Sequence, residues 1–319
     1  MRRHSRRKML SGVPNGFAAA LLSLTLCAPI AHGQTDLSAW PQVSAGIFVT
    51  NAKGGSLTGL TADAFLVKEN GRPQTVTSLS TITEPQSVCV LIDTSGSMFQ
   101  RTAIVMSAAS RFIEKLPAED EVCVATFAFR LKMEQGLTTD RSRALTAVSH
   151  AGWANGGSTI YDSVAQLANY MQNSSRFDSR AILLLSDGVD NASNGSPNQD
   201  AFDRLRVQLE RNRSSVLHII RIATDDNENW GEKRSAEKAV MAMTAIGGGL
   251  PYFPRNQRDL DADVDDLSQA MKTRTMLVYT SDNPAKDGQA RHVEVVVDKA
   301  HGGKKLKVRA PEGYYVPSE

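Results

Sequence analysis

Residues 87–97 read Ser87-Val-Cys-Val-Leu-Ile-Asp93-Thr-Ser95-Gly-Ser97. An apolar run bounded by a turn signal marks a buried strand. Here the run ends in Asp93-x-Ser95-x-Ser97, an acid followed by two hydroxyls at alternate positions. Such a triplet can turn three oxygens toward one point, and oxygen is the ligand a hard divalent cation prefers. The same residues also make an ordinary strand end, because Asp, Ser and Gly satisfy their own backbone in turns. Alone, the triplet supports both readings equally.

Further strand candidates follow at 121–129, 180–186 and 215–223, with a shorter one at 250–254. Between them lie stretches with apolar residues at helical spacing, such as Ala103-Ile-Val-Met-Ser-Ala-Ala-Ser-Arg-Phe-Ile-Glu-Lys-Leu116. Near-continuous apolar strands alternating with amphipathic helices predict an α/β fold, a doubly wound and mostly parallel sheet covered on both faces. Ligands of such sheets bind beyond the carboxyl ends of the strands, where Asp93 falls.

The flanks differ. Short strand patterns at 44–50, 64–68 and 74–79, with Glu69-Asn70-Gly71 as a hairpin signal, precede the α/β region, and similar ones at 275–280, 291–297 and 305–309 follow it. Three strands on either side are too few for a core of their own. The expectation is therefore a small β-sandwich built from both flanks, with the α/β domain inserted. The boundaries read as 1–33 export segment, 34–84 N-terminal β segment, 85–275 α/β domain and 276–319 C-terminal β segment.

In the 319-residue chain, Lys and Arg number 36 against 34 Asp and Glu, and Arg2, Arg3, Arg6, Arg7 and Lys8 more than account for the excess. The remainder is mildly acidic, which argues against nucleic acid as a partner. A basic start, an apolar run Phe17–Leu26 and Ala31-His32-Gly33 as a small-x-small site form an export signal, with Ser5-Arg6-Arg7-Lys8 resembling a twin-arginine version. No stretch reaches the roughly 20 apolar residues of a membrane span. The expected product is a bacterial protein in the periplasm or secreted, with no transmembrane segment in the mature chain. Cys27 belongs to the signal. Cys89 and Cys123 lie inside strand-like runs and are expected as buried free thiols, because neighbouring parallel strands seldom present disulfide geometry.

Two segments strengthen the metal reading. Leu183-Leu-Leu-Ser-Asp187-Gly188 is a second apolar strand ending in an acid, and Asn155-Gly-Gly-Ser158-Thr159-Ile-Tyr161-Asp162 brings hydroxyls to a helix start. Together with Asp93-x-Ser95-x-Ser97, these segments resemble the von Willebrand factor type A domain and its metal-ion-dependent adhesion site. That resemblance, over roughly 85–275, implies metal ligation by Asp93, Ser95, Ser97, Asp187 and a loop hydroxyl. The family has Thr where counting back from Tyr161-Asp162 places Ser158. Either Ser158 or Thr159 can supply the oxygen, and Ser158 is favoured. Ser56–Gly71 and Leu306–Tyr315 are similar to segments bracketing this domain in exported acidobacterial proteins.

Two or three hydroxyls, one or two carboxylates and retained waters suit Mg²⁺, and Mn²⁺ or Ca²⁺ accept oxygen sets as well. Neutral hydroxyl ligands leave the ion electrophilic, so an acidic side chain of a protein or matrix partner can complete its shell. No catalytic residue is assigned. The phosphatase triplet would need an acid at Ser95, and no phosphate-binding loop or Gly-x-Ser-x-Gly elbow occurs. His150, His218, His292 and His301 lack ligand spacing. The acidic run Asp225-Asp226-Asn-Glu228 reads as a solvated loop on the face of the metal site. The reading is an exported, non-enzymatic binding protein; a metal-dependent hydrolase or a structural envelope component with a vestigial site are the alternatives.

Overall fold

A computed structural model describes residues 35–51, 55–154, 156–193, 199–212, 215–223, 228–272, 274–302 and 305–318. The expected export segment 1–33 and Asp225-Asp226 lie outside the described residues. In chain order the first strands are β1 (Thr35–Asp36), β2 (Gln42–Asn51), β3 (Ser56–Leu57), β4 (Phe65–Glu69), β5 (Arg72–Gln74) and β6 (Val76–Thr81). The α/β region follows as β7 (Ser87–Asp93), α1 (Thr102–Lys115), β8 (Glu121–Phe127), β9 (Leu131–Thr138), α2 (Arg141–His150), α3 (Ile160–Ser174), β10 (Arg180–Ser186), α4 (Gln199–Asn212), β11 (Ser215–Arg221), α5 (Trp230–Ile246), β12 (Pro251–Tyr252) and α6 (Gln257–Lys272). Last come β13 (Thr275–Thr280), β14 (Ala290–Val297), β15 (Leu306–Arg309) and β16 (Gly313–Tyr315).

The α/β sheet has the order β12-β11-β10-β7-β8-β9, parallel except for β9. Every residue of β7, β8 and β11 is buried, as expected of strands covered on both faces. Alternation along β7 divides the core. Val88, Val90 and Ile92 pack with α1, α2 and α6, whereas Cys89 and Leu91 pack with α3, α4 and α5. The chain leaves β7 toward β8 and later returns to its other side as β10, so the strand order reverses between β7 and β10. This is the switch point at which such sheets hold ligands.

The flanking strands interleave. β13 pairs antiparallel with both β2 and β6, β15 with β2, and β14 with β4. The two resulting sheets enclose one core that includes Ile47, Phe65, Val67, Leu277, Tyr279, Val295 and Tyr314. Strand β14 alternates exposed and buried positions along its length, as a sheet with one solvated face requires. The hairpin signal is realised: Asn70 and Gly71 have φ of 48° and 80°, the left-handed pair of a type I′ turn, and Glu69 faces Arg72 across it. No helix of the described residues is long and apolar enough to cross a membrane.

Three expectations need correction. Strand β9 has no counterpart in the sequence reading; it is an edge strand whose residues are only half-buried, so Leu131-Lys-Met-Glu-Gln-Gly-Leu-Thr138 lacks a clear period. The predicted strands 121–129, 215–223 and 250–254 are shorter, ending at Phe127, Arg221 and Tyr252. Cys89 and Cys123 form a disulfide rather than free thiols. They stand directly opposite in the β7–β8 register, with Cα atoms 4.5 Å apart, within the span a disulfide bridges.

The sandwich core contains one buried carboxylate, Glu69, 2 % exposed. It accepts hydrogen bonds from Tyr279 (2.9 Å), Ser281 (2.6 Å) and Tyr314 (2.5 Å), all from the far end of the chain. Replacing Glu69 with Ala strands these hydroxyls in the core, and each unpaired buried group costs about 1–3 kcal/mol. Denaturant unfolding of Glu69→Ala is expected to show a loss of about 3 kcal/mol or more. A loss below about 1 kcal/mol would remove Glu69 as the tie between the flanks.

Candidate metal site

Asp93 ends β7 and is fully buried. Its side chain is held on three sides: Ser95 N donates to Oδ1 (2.9 Å), while Ser186 Oγ (2.7 Å) and Ser158 Oγ (3.1 Å) donate to Oδ2. Thr94 turns the other way and ties the loop to β8, its N and Oγ1 both donating to the Phe127 carbonyl. The chain then enters a short 3-10 turn, Gly96–Arg101, in which Met98 is buried and Ser97 exposed. Ser95 Oγ and Ser97 Oγ are 3.3 Å apart, and Ser97 Oγ donates to Asp187 Oδ2 (2.7 Å).

Asp187 follows β10, the strand beside β7, and its Oδ1 accepts from Val189 N at 2.9 Å. Gly188 allows this reversal: its φ is 83°, and a Cβ there would come within 2.8 Å of Val240. The loop before α3 is fixed to both neighbours. Gly96 N donates to the Gly156 carbonyl, Ser158 N to Asn191 Oδ1 (2.7 Å), and Asn191 N and Ala192 N to the Ser158 carbonyl.

The five residues singled out in the sequence, Asp93, Ser95, Ser97, Ser158 and Asp187, thus form one hydrogen-bonded cluster across three loops. Thr159 takes no part: its hydroxyl donates to the Ala128 carbonyl (2.8 Å) and lies 3.1 Å from Ser163 Oγ. Ser186 was not singled out beforehand. Its hydroxyl holds Asp93 and receives Gly188 N (3.0 Å), so it links the two acids; its position just before Asp187 was the only available signal. Glu228, from the acidic run after β11, pairs with the buried Arg221. The four histidines of the described residues remain outside the cluster, and the buried His218 accepts from Leu250 N.

Two acids this close and this deep repel their own ionisation. Burial, then the charge of Asp187, raises the Asp93 carboxyl from its ordinary range to about 6. Burial raises Asp187 too, against the hydrogen bonds of Ser97 and Val189 and the charge of Arg221. The cluster offers oxygen alone, two carboxylates and the hydroxyls of Ser95, Ser97 and Ser158; among the described residues there is no group of three or more His, Cys, Asp or Glu that could hold a metal. Two carboxylates raised mainly by burial, with three hydroxyls beside them, fit a hard divalent cation, whose charge would offset the cost of ionising them there.

Without a cation, the folded protein binds the Asp93 proton more tightly than the unfolded chain does. The contribution of this group to stability is then fully present below about pH 4 and is lost as pH rises from about 4 to 6, by roughly 3 kcal/mol. In chelator, Asp93→Asn is expected to gain on the wild type by about that amount over the same interval, read from urea unfolding at stepped pH. A constant difference, or one of opposite sign, would contradict this electrostatic account.

Residues 88–189 match the family model of the von Willebrand factor type A domain. Similar solved structures include a von Willebrand factor type A protein from Catenulispora acidiphila, at 14% identity and TM-score 0.48 over 91% of this chain and 75% of that one. The PilB minor pilin from Streptococcus sanguinis is similar at 12% identity and TM-score 0.48, over 60% of this chain. The vWF domain of the type V pili tip protein Mfa5 from Porphyromonas gingivalis is similar at 11% identity and TM-score 0.47, over 60% of this chain and 96% of that one. This chain spans 62% of the length of the PilB chain. No curated protein matches it in sequence. The doubly wound sheet and the loops that carry the two acids agree with the family match, and residues 88–189 are a segment of the von Willebrand factor type A kind.

Proposed function

We propose that the protein is an exported, non-enzymatic binding protein that engages a protein or matrix ligand through a divalent cation at the end of β7 and β10. The observation that carries this reading is the cluster of two buried carboxylates and three hydroxyls at the sheet's switch point. Asp93, Ser95, Ser97, Ser158 and Asp187 would hold the ion, with Ser186 keeping Asp93 in place. Mg²⁺ suits this set best, and Mn²⁺ or Ca²⁺ can also use oxygen ligands. A bound dication supplies Lewis acidity toward an acidic side chain brought by the partner. The exposed Ser97 leaves the cluster open on the solvent side, whereas Asp93, Ser95, Ser158 and Asp187 are buried beneath it.

Mg²⁺ at about a hundred times its dissociation constant is expected to stabilise the protein by about 2.7 kcal/mol, a rise in melting temperature of roughly 5 °C. Asp93→Ala is expected to abolish that rise and to abolish chelator-sensitive capture of partners from a cell-envelope extract, while the circular dichroism spectrum stays unchanged. Capture that survives chelator would sink the metal-bridged mechanism.

A further inference from the structure

Where the sandwich strands meet the α/β region, a cavity of about 610 Å³ lies between α5, α6, β12 and β15, beside the end of β2. That volume is within the range of small-molecule sites. None of Asp93, Ser95, Ser97, Ser158 and Asp187 lines it.

Its walls carry charges that do not meet. On α6, Asp259, Asp263 and Asp266 recur at helical spacing on the face that lines the cavity. The outer two are committed. Asp259 Oδ2 accepts from Arg255 N (3.3 Å) and Asn256 Nδ2 (3.2 Å), and Asp266 accepts from Ser56 N (3.1 Å) and the Tyr252 hydroxyl (2.8 Å). Asp263, half-buried between them, has neither a hydrogen-bond donor nor a cation partner among the described residues. Burial first, then the charges of Asp259 and Asp266, raises its carboxyl to about 6. From β15, Lys307 and Arg309 line the same cavity, two residues apart and so on one side of the strand. The half-buried Arg309 donates from Nη2 to Met241 Sδ (3.7 Å) and has no carboxylate partner among the described residues; burial lowers its guanidinium below the usual range. Met241, Leu250 and Phe253 supply an apolar wall.

Charges withdrawn from water are ordinarily paired. Here an acid and a guanidinium border one cavity without acting on each other, so a ligand that satisfies both brings a cation and an anion held apart. A free α-amino acid keeps its two charges on neighbouring carbons, whereas a short peptide separates them by about 3.5 Å per residue. A polyamine would leave Arg309 unmet, and a dianion would leave Asp263 unmet. We infer that this cavity binds a short peptide with free termini, its ammonium on Asp263, its carboxylate on Lys307 and Arg309, and an apolar side chain against Met241, Leu250 and Phe253. The inference stands apart from the metal-dependent reading, because the two sites share no residue.

Titration calorimetry on the full chain in chelator tests it with four probes: Ala-Leu-Ala with both termini free, its N-acetyl form, its C-terminal amide, and leucine. The tripeptide with free termini is expected to bind at least about tenfold more tightly than each of the others. Asp263→Asn is expected to lose the preference over the N-acetyl form and keep that over the amide; the double variant Lys307→Gln/Arg309→Gln is expected to do the reverse. An unchanged circular dichroism spectrum verifies the fold of both variants. Failure of the tripeptide to bind at millimolar concentration, equal binding of the capped forms, or variants that weaken all probes alike would each overturn the site. Leucine binding as tightly as the tripeptide would overturn the peptide as its ligand. Binding that appears only when Mg²⁺ replaces the chelator would assign the peptide to the oxygen cluster and overturn this cavity as its site.

Discussion

The placement of the Asp93 carboxylate under the end of the central strand constrains everything around it. A buried acid must be hydrogen-bonded or neutralised. Here Ser95 and Ser158 converge on it from two loops and Ser186 from the end of β10. Backbone hydrogen bonds such as Thr94 to Phe127, Gly96 to Gly156 and Asn191 to Ser158 tie those loops together at the carboxyl end of the sheet. What remains uncompensated is charge. Asp187 lies close enough to raise Asp93, and the Arg221 cation is shared with Glu228. Two acids that burial disfavours in their charged form, inside an ordered set of oxygens, are what the proposed cation would offset.

The second structural constraint is covalent continuity through the sandwich. Because β13 lies between β2 and β6, the strand that leaves α6 closes a sheet begun before the α/β region. Glu69 then ties the two ends through Tyr279, Ser281 and Tyr314. A contact also joins the sandwich strands to the α/β helices: Asp266 on α6, which accepts from the Tyr252 hydroxyl of β12 at 2.8 Å, accepts from Ser56 N of β3 at 3.1 Å. The oxygen cluster lies at the carboxyl end of the parallel sheet, whereas β7 departs from β6 at the opposite end. The face carrying Ser97 is therefore not the one from which the sandwich strands run.

Legibility of the chain followed burial. Strands buried on both faces must be apolar throughout, so β7, β10 and β11 announce themselves. Asn70-Gly71 was readable because few residues accept two successive positive φ values. The half-buried edge strand β9 had no such constraint and left no pattern. Asp93, Ser95 and Ser97 were visible because their spacing is local, whereas Asp187 and Ser158, 90 and 65 residues from their partners, were implied by the resemblance to the family. Ser186, 93 residues from Asp93, belongs to neither the local triplet nor the pattern the resemblance supplied.

By itself, the sequence determined the α/β class, the ends of the central strands and the triplet Asp93-x-Ser95-x-Ser97, since each follows from periodicity or from residues close together in the chain; Asp187 and Ser158 were what the resemblance implied. Tertiary structure decided what depends on register and on facing loops. Cys89 meets Cys123 because β7 and β8 pair without offset. Ser158 rather than Thr159 faces Asp93 because the loop before α3 is pinned by Asn191. Pairing energies summed over whole strands set these alignments, and no local stretch of sequence encodes such a sum.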